Sequence, residues 1–316
     1  MMSQQSQTIP LISVVTPVYK EENNIIPFLD RIVPLLEKIG RYEIIFCMDP
    51  SPDGTERIIQ DIIKQNINIK LLVMSRRFGQ ESATMAGIRH CSGNSCVTID
   101  IDLQDPPELI PQMYARFCEG YDTVLMRRKS RDGETVSKKI IAFAGYRFIN
   151  AIANVPIPND ISDFRLISRR VINQLSNLKE ARYFMRGLIH YIGYKHSIIE
   201  YDRAARHQGV THYNRYFGSL KSALDGIFGF SIAPLTAIWC LGLLVCIGSI
   251  ILTILIGIGF IDGLTIIATS IFFLGGVQLI ALGILGEYIG RIYDEVRARP
   301  NYIIDRAINI HSQTSS

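Results

Sequence analysis

The chain has 316 residues, with 33 Lys and Arg against 29 Asp and Glu and a net charge of +4. That length holds one sizeable domain and a further module. The small basic excess, without finger motifs or aromatic-rich basic repeats, argues against a nucleic-acid binder, and six cysteines without a Cys-x-x-Cys pair argue against a disulfide framework or zinc site.

Residues 1–9 are polar and are expected to be disordered, not a targeting signal. From there, short apolar runs alternate with helical patterns. Strands are predicted at 12–18 (ISVVTPV), 43–48 (EIIFCM), 69–74, 96–101 (CVTIDI) and 122–126. Helices are predicted between them, at 24–39, 55–64, 83–89 and 106–118. This alternation implies parallel βαβ units in a doubly wound sheet, whose ligands bind beyond the carboxyl ends of the strands. No G-x-G-x-x-G follows the first strand and no G-x-x-x-x-G-K-[ST] occurs, which disfavours a dinucleotide dehydrogenase and a P-loop NTPase.

The second half changes character. Residues 213–230 (YNRYFGSLKSALDGIFGF) read as an amphipathic helix at a membrane surface. No Lys, Arg, Asp or Glu occurs from Gly226 to Ile261, nor from Gly263 to Gly286. Each run exceeds the roughly 20 residues that span a bilayer core, so transmembrane helices are expected at 231–261 and 264–288, followed by a C-terminal tail over 289–316. Arg203, Arg206, Arg215 and Lys221 precede the first run, and Arg291, Arg297, Arg299 and Arg306 follow the start of the tail. The connection around Asp262 has no basic residue. The positive-inside rule then places both termini in the cytoplasm.

Chemistry centres on Asp100-Ile101-Asp102-Leu103-Gln104-Asp105 at the predicted end of the fourth strand. Alternate strand residues share a face, so Asp100 and Asp102 are expected together. Paired carboxylates repel unless a cation lies between them, and oxygen ligands suit Mg²⁺ or Mn²⁺ bridging to substrate phosphates. Asp105-Pro106-Pro107-Glu108 has the pattern of a capping box, which makes Asp105 a helix cap first and a ligand second. Asp163 reads as a lone loop aspartate. Arg127, Arg128, Arg131, Lys138, Lys139, Arg203, Arg206, His207 and His212 form a basic set suited to two phosphate groups, one on a nucleotide and one on a lipid. A solvated or membrane-surface face is the alternative for each of them.

With these residues the chain resembles family 2 glycosyltransferases of the GT-A fold, and within them the polyprenyl-phosphate glycosyltransferases, such as bactoprenol glucosyltransferases and dolichyl-phosphate mannose synthase. The motifs are Val15-Thr16-Pro17-Val18-Tyr19-Lys20-Glu21-Glu22-Asn23, Ser75-Arg76-Arg77-Phe78-Gly79-Gln80-Glu81, the run from Asp100 to Glu108, Asp163-Phe164-Arg165-Leu166, Phe273-Leu274-Gly275-Gly276-Val277-Gln278 and Gly286-Glu287-Tyr288-Ile289-Gly290-Arg291. One departure is Met48-Asp49-Pro50-Ser51-Pro52-Asp53-Gly54-Thr55, where the family usually reads Asp-Asp-Gly-Ser before Asp-Gly-Thr.

The resemblance implies an α/β GT-A catalytic domain (Rossmann-like, mainly parallel sheet) over 10–212, followed by the interface helix and two transmembrane helices. It implies that Pro17, Tyr19, Glu21, Asp49, Arg76 and Asp100 meet a nucleotide-sugar, and that Asp100, Asp102 and Gln104 hold Mg²⁺ or Mn²⁺. Asp163 falls at the position of a general base, and Arg128, Lys138 and Arg206 at positions that bind a lipid phosphate. The implied reaction is inverting transfer of a hexose, foremost glucose from UDP-glucose, to polyprenyl phosphate at the inner membrane. GDP-mannose or a UDP-aminosugar as donor, or a non-catalytic scaffold, are the alternatives. The expected partners are the donor, the lipid phosphate, the membrane and a second copy of the chain, with a tetramer as one option. A processive polysaccharide synthase is disfavoured, because the Gln-x-x-Arg-Trp pattern is missing and Trp239 lies within the first apolar run.

Overall fold

The computed structural model describes residues 11–129, 161–180, 183–203, 228–229, 231, 233–257 and 263–310. Strands β1 (Ile12–Val18) and β2 (Tyr42–Met48) are buried along almost their whole length, as central parallel strands covered on both faces must be. Between them runs α1 (Ile25–Ile39), whose Ile25, Phe28, Leu29, Ile32 and Leu36 form one buried stripe at helical spacing. Next come α2 (Thr55–Ile63), β3 (Ile69–Met74) and α3 (Gln80–His90). Helix α3 lies close on the sheet: a side chain on Gly87 would meet Val15 at 2.4 Å and Cys47 at 2.5 Å.

Strand β4 is short, Ser95–Thr98. The predicted strand ran to Ile101, but the ladder ends where the charged turn begins. A 3₁₀ turn at Pro107–Leu109 leads into α4 (Ile110–Cys118) and then β5 (Thr123–Arg128). After residue 160 come β6 (Ile161–Ser168), α5 (Arg169–Asn177), α6 (Met185–Ile192) and β7 (His196–Tyr201). The Ser168 side chain accepts a hydrogen bond from Val171 N–H and so caps α5.

These strands build one eight-stranded sheet in the order β7-β5-β6-β4-β1-β2-β3-β8, where β8 is Ile304–Ile308. The pairs β1–β2, β1–β4, β2–β3 and β5–β7 are parallel. Strand β6 runs antiparallel to both β4 and β5, and β8 antiparallel to β3. The sheet is therefore mixed, and three of its strands lie outside the predicted set. One of them comes from the expected C-terminal tail: β8 covers the free edge of β3, and Asn309 Nδ2 donates to the carbonyls of Ile67 and Ile69.

The chain divides into two compact units: residues 1–140, 157–214 and 300–316, and residues 141–156 and 215–299. In the second unit, α7 (Ala233–Gly257) and α8 (Gly263–Arg297) pack on one another. Helix α8 extends well past the predicted span of 264–288. Both helices are long and apolar enough to cross a bilayer, and both expose large apolar groups, among them Trp239, Leu244, Leu279 and Leu282. The interface helix predicted at 213–230 lies almost wholly outside the described residues. At its end, Phe228 packs edge-on against Tyr288 of α8 and lies under the Arg291 guanidinium.

Candidate active site

The carboxyl ends of β1, β2, β3 and β4 point the same way, and the sequence-predicted residues gather there. Pro17 lies in β1, and Tyr19 and Glu21 in the loop that follows. Asp49 follows β2, Arg76 follows β3, and Asp100, Asp102 and Gln104 follow β4. Arg128 ends β5 and Asp163 lies in β6. Lys138 and Arg206 lie outside the described residues.

Two loops are laced together by Asp53, which sequence reasoning left without a role. Its carboxylate accepts from Ser51 Oγ at 2.5 Å, Thr55 Oγ1 at 2.9 Å and Thr55 N–H at 3.3 Å, and from Glu22 N–H across the loops at 3.4 Å. Glu22 answers by accepting from Gly54 N–H at 2.7 Å, and Lys20 N–H donates to Ser51 Oγ at 3.0 Å. Burial pushes the Asp53 carboxyl up, but hydrogen bonds from Ser51, Thr55 and Glu22 outweigh it and hold the group below its ordinary value. The signal was the Asp-Gly-Thr sequence at a helix start. Asp53→Ala is expected to lower stability by about 1–2 kcal/mol, the worth of hydrogen bonds to a charged group reduced by its partial exposure to water. An unchanged denaturant midpoint would show that the loops hold without it.

Asp49 is buried, and both of its oxygens are engaged: Phe78 N–H donates at 3.1 Å and Gly79 N–H at 2.9 Å. Gly79 has φ +93°, a conformation that glycine adopts freely and that aims consecutive amides at one carboxylate. Asp49 therefore fixes the loop after β3, which carries two arginines. Arg77 stacks on the Tyr19 ring at 4.2 Å and Arg76 on the Phe78 ring at 4.0 Å.

Asp100 and Asp102 share not a strand face but a tight turn. Gln104 N–H donates to Asp102 Oδ1 at 3.1 Å, and the residue between, Leu103, has φ +59°. Asp100 accepts from Gln80 Nε2 at 2.8 Å. Burial, followed by the charges of Asp163, Asp102 and Asp105, pushes the Asp100 carboxyl up to about 8. Among the described residues, no three His, Cys, Asp or Glu side chains group as metal ligands.

The capping-box expectation for Asp105 is overturned. No side chain caps the 3₁₀ turn, and Pro106 occupies its cap position. Asp105 is instead buried, accepts from the Tyr201 hydroxyl and lies 3.7 Å from Arg203 Nε. Glu108, the expected second member of the box, forks with Arg31 of α1 at 2.9 and 2.8 Å. The long-range partners won over the local motif because each carboxylate finds a cationic or hydroxyl donor there.

The loop reading of Asp163 is also corrected. Strand register pairs Thr98 with Arg165, which brings Asp163 level with Asp100, and Thr98 Oγ1 donates to the Asp163 carbonyl at 2.7 Å. The Asp163 carboxylate forms ion pairs with Arg165 of its own strand and with Arg186 of α6, the latter at 3.0 Å. Burial raises this carboxyl, but Arg186 and Arg165 overcome it and hold the group far below the usual carboxylate range. Arg165 is legible in sequence as the second residue after Asp163 on one strand face. Arg186, a lone arginine in an unremarked helix, carried no such signal. The site thus sets Asp100, Asp102 and Asp105 beside Asp163, with Arg128, Arg165, Arg186 and Arg203 as counter-charges.

The chain is similar to known proteins along almost its whole length. The model of glycosyl transferase family 2 matches residues 13–176. An uncharacterised glycosyltransferase of Synechocystis is 41% identical over 93% of this chain and 94% of its own length. A prophage bactoprenol glucosyl transferase homolog of Escherichia coli is 38% identical over 93% and 98%. The SfII prophage-derived bactoprenol glucosyl transferase of Shigella flexneri is 39% identical over 94% and 98%. With a family model covering half the chain and relatives matching it almost end to end, this protein belongs to glycosyl transferase family 2.

Proposed function

We propose that this protein transfers a hexose, foremost glucose from UDP-glucose, to a polyprenyl phosphate at the cytoplasmic face of a membrane. The observation that carries this reading is the meeting of Asp100, Asp102 and Asp163 at the end of β4, flanked by arginines. The near full-length relatives named bactoprenol glucosyl transferase support the acceptor class. Another donor, GDP-mannose or a UDP-aminosugar, leaves the same chemistry in place.

The donor chemistry fits a hard divalent cation. Burial, and after it the charges of neighbouring carboxylates, makes ionised Asp100 unfavourable in the protein alone, and a cation offsets both. Mg²⁺ and Mn²⁺ commonly use one or two carboxylates and take further oxygens from substrate phosphates, so Asp100 and Asp102, with Gln104, would hold the ion. When bound it would supply charge stabilisation for the leaving nucleoside diphosphate.

The remaining work falls to the chain's own residues. Pro17, Tyr19, Glu21, Asp49 and Arg76 border the nucleotide. Arg186 and Arg128 present guanidinium groups to phosphate oxygens, for which their planar fork is suited. The phosphate oxygen attacks the anomeric carbon from the face opposite the leaving group, so configuration inverts. That acceptor is already anionic at neutral pH. Asp163, held ionised by two arginines, therefore serves to orient Arg186 and the acceptor more than to take up a proton.

Membrane attachment follows from α7 and α8 as two spans. Strand β8, after α8, pairs with β3 of the same unit that contains β7, before α7. Two points of one sheet lie on one side of a bilayer, so the number of crossings between them is even. A two-span hairpin satisfies this, and the basic residues at 203–221 and 291–306 put the sheet in the cytoplasm at the inner membrane.

The test is to incubate membranes holding the protein with polyprenyl phosphate and a panel of labelled nucleotide-sugars. One donor is expected to label the lipid. Arg128→Ala is expected to raise KM for the lipid by roughly tenfold, the value of one charge-assisted hydrogen bond, with donor binding by calorimetry little changed. No labelling of lipid by any donor would refute the function, and an unchanged lipid KM would remove Arg128 from the acceptor site.

A further inference from the structure

Tyr201 ends β7, far in sequence from the acidic turn, yet its hydroxyl donates to Asp105 Oδ1. The same hydroxyl accepts from Arg128 Nε at 3.4 Å. We propose that Tyr201 is a positioning residue: through Asp105 it fixes the turn that carries Asp100 and Asp102, and it ties that turn to Arg128. This rests on the reading of Asp100 and Asp102 as the carboxylates that hold the divalent cation.

The turn needs an anchor. Asp102 and Asp105 are separated by Leu103, in the left-handed region at φ +59°, and Gln104, whose N–H closes back on Asp102. A branched side chain does not favour that conformation, so it persists only where both ends of the turn are held. One end is held by β4, which is locked to β1 and β6. The other end is Asp105, 1% exposed, gripped by Tyr201 and approached by Arg203 at 3.7 Å.

Tyr201 is itself well fixed. Its carbonyl accepts from Lys129 N–H at 2.9 Å, its backbone is in register with Arg128, and its ring packs edge-on against Phe164 at 6.4 Å. A phenylalanine would satisfy that packing equally. The hydroxyl is what reaches the buried carboxylate, and the second oxygen of that carboxylate, Asp105 Oδ2, has no hydrogen-bond partner among the described residues. Asp105 is thus held through a single oxygen by a donor from β7 and a nearby arginine. Loss of the hydroxyl leaves the acidic turn free to relax.

The experiment uses the full chain in detergent and reads Mn²⁺ affinity directly by electron paramagnetic resonance, with UDP and with GDP, beside thermal melts in metal-free buffer. Tyr201→Phe is expected to weaken Mn²⁺ binding by about 10–100-fold, the usual consequence of losing a group that orients metal ligands, while the protein still melts cooperatively. Asp105→Asn keeps an acceptor for the hydroxyl and is expected to stay within about threefold of the parent, well below that range. Equal Mn²⁺ affinity in Tyr201→Phe and the parent overturns the proposal, whatever the melts show. So does a loss in Asp105→Asn as large as in Tyr201→Phe, because charge and not the hydrogen bond would then set the turn. Failure of the parent itself to bind Mn²⁺ overturns the cation reading beneath it, a result distinct from either.

Discussion

Asp102→Asn is expected to lower kcat by roughly a hundredfold or more, the common cost of removing a group that stabilises transition-state charge. The substitution is well suited to isolate charge. Asn retains an oxygen where Asp102 Oδ1 accepts from Gln104 N–H, so the turn keeps its closing hydrogen bond and the fold stays intact. What disappears is one negative charge on a side chain that is 6% exposed, where water screens little. The variant assayed in Mn²⁺ and the parent assayed in excess chelator are expected to fall to comparable rates, and chelator is expected to lower the variant little further. If the variant turns over at the parental rate, or the parent is fully active in chelator, the assignment of Asp102 to a cation is wrong.

The second large effect is expected at Asp163, in stability and in rate together. Arg165 is buried beside it, and one guanidinium nitrogen, Nη1, lacks a hydrogen-bond partner among the described residues. Asp163→Asn would remove the carboxylate that pairs both with that guanidinium and with Arg186 of α6. Breaking a fully buried pair costs about 3–5 kcal/mol, and the partial exposure of Asp163 reduces this to about 1–3 kcal/mol. Arg186→Ala, by contrast, is expected to impair turnover with a smaller loss of stability, since Arg165 then keeps its partner.

The pH dependence has a definite sign. The carboxyl of Asp163 lies below its unfolded value. Its contribution is therefore complete above about pH 4, the ordinary range of an aspartate, and is lost as the pH falls below it. Acid melts of the parent are expected to show this loss and those of Asp163→Asn to lack it. At saturating cation, kcat is expected to show no acidic limb from Asp163 above the same pH. A limb near neutrality that vanishes in Asp163→Asn would make it a general base after all.

Several features were decided by the sequence alone, because their physics is local. Ile25, Phe28, Leu29, Ile32 and Leu36 recur at helical spacing, and β1 and β2 are mostly apolar runs, so the parallel half of the sheet needs no long-range information. The apolar cores of α7 and α8 follow from unbroken apolarity in the same way, while the charged last turns of α8, to Arg297, do not. Tertiary structure alone placed the rest. Strand β6 holds Asp163 and Arg165, and β8 is Ile-Asp-Arg-Ala-Ile; such charged segments become strands through the neighbours they pair with, not through intrinsic preference. Asp105 carries the local pattern of a cap, and only the approach of Tyr201 from β7 shows that its carboxylate is spent elsewhere. Arg186 has the sequence context of any solvated helix residue until α6 brings it to Asp163. Periodicity and length are properties of a segment, whereas the counter-charge a buried carboxylate meets depends on which distant segment the sheet order sets beside it.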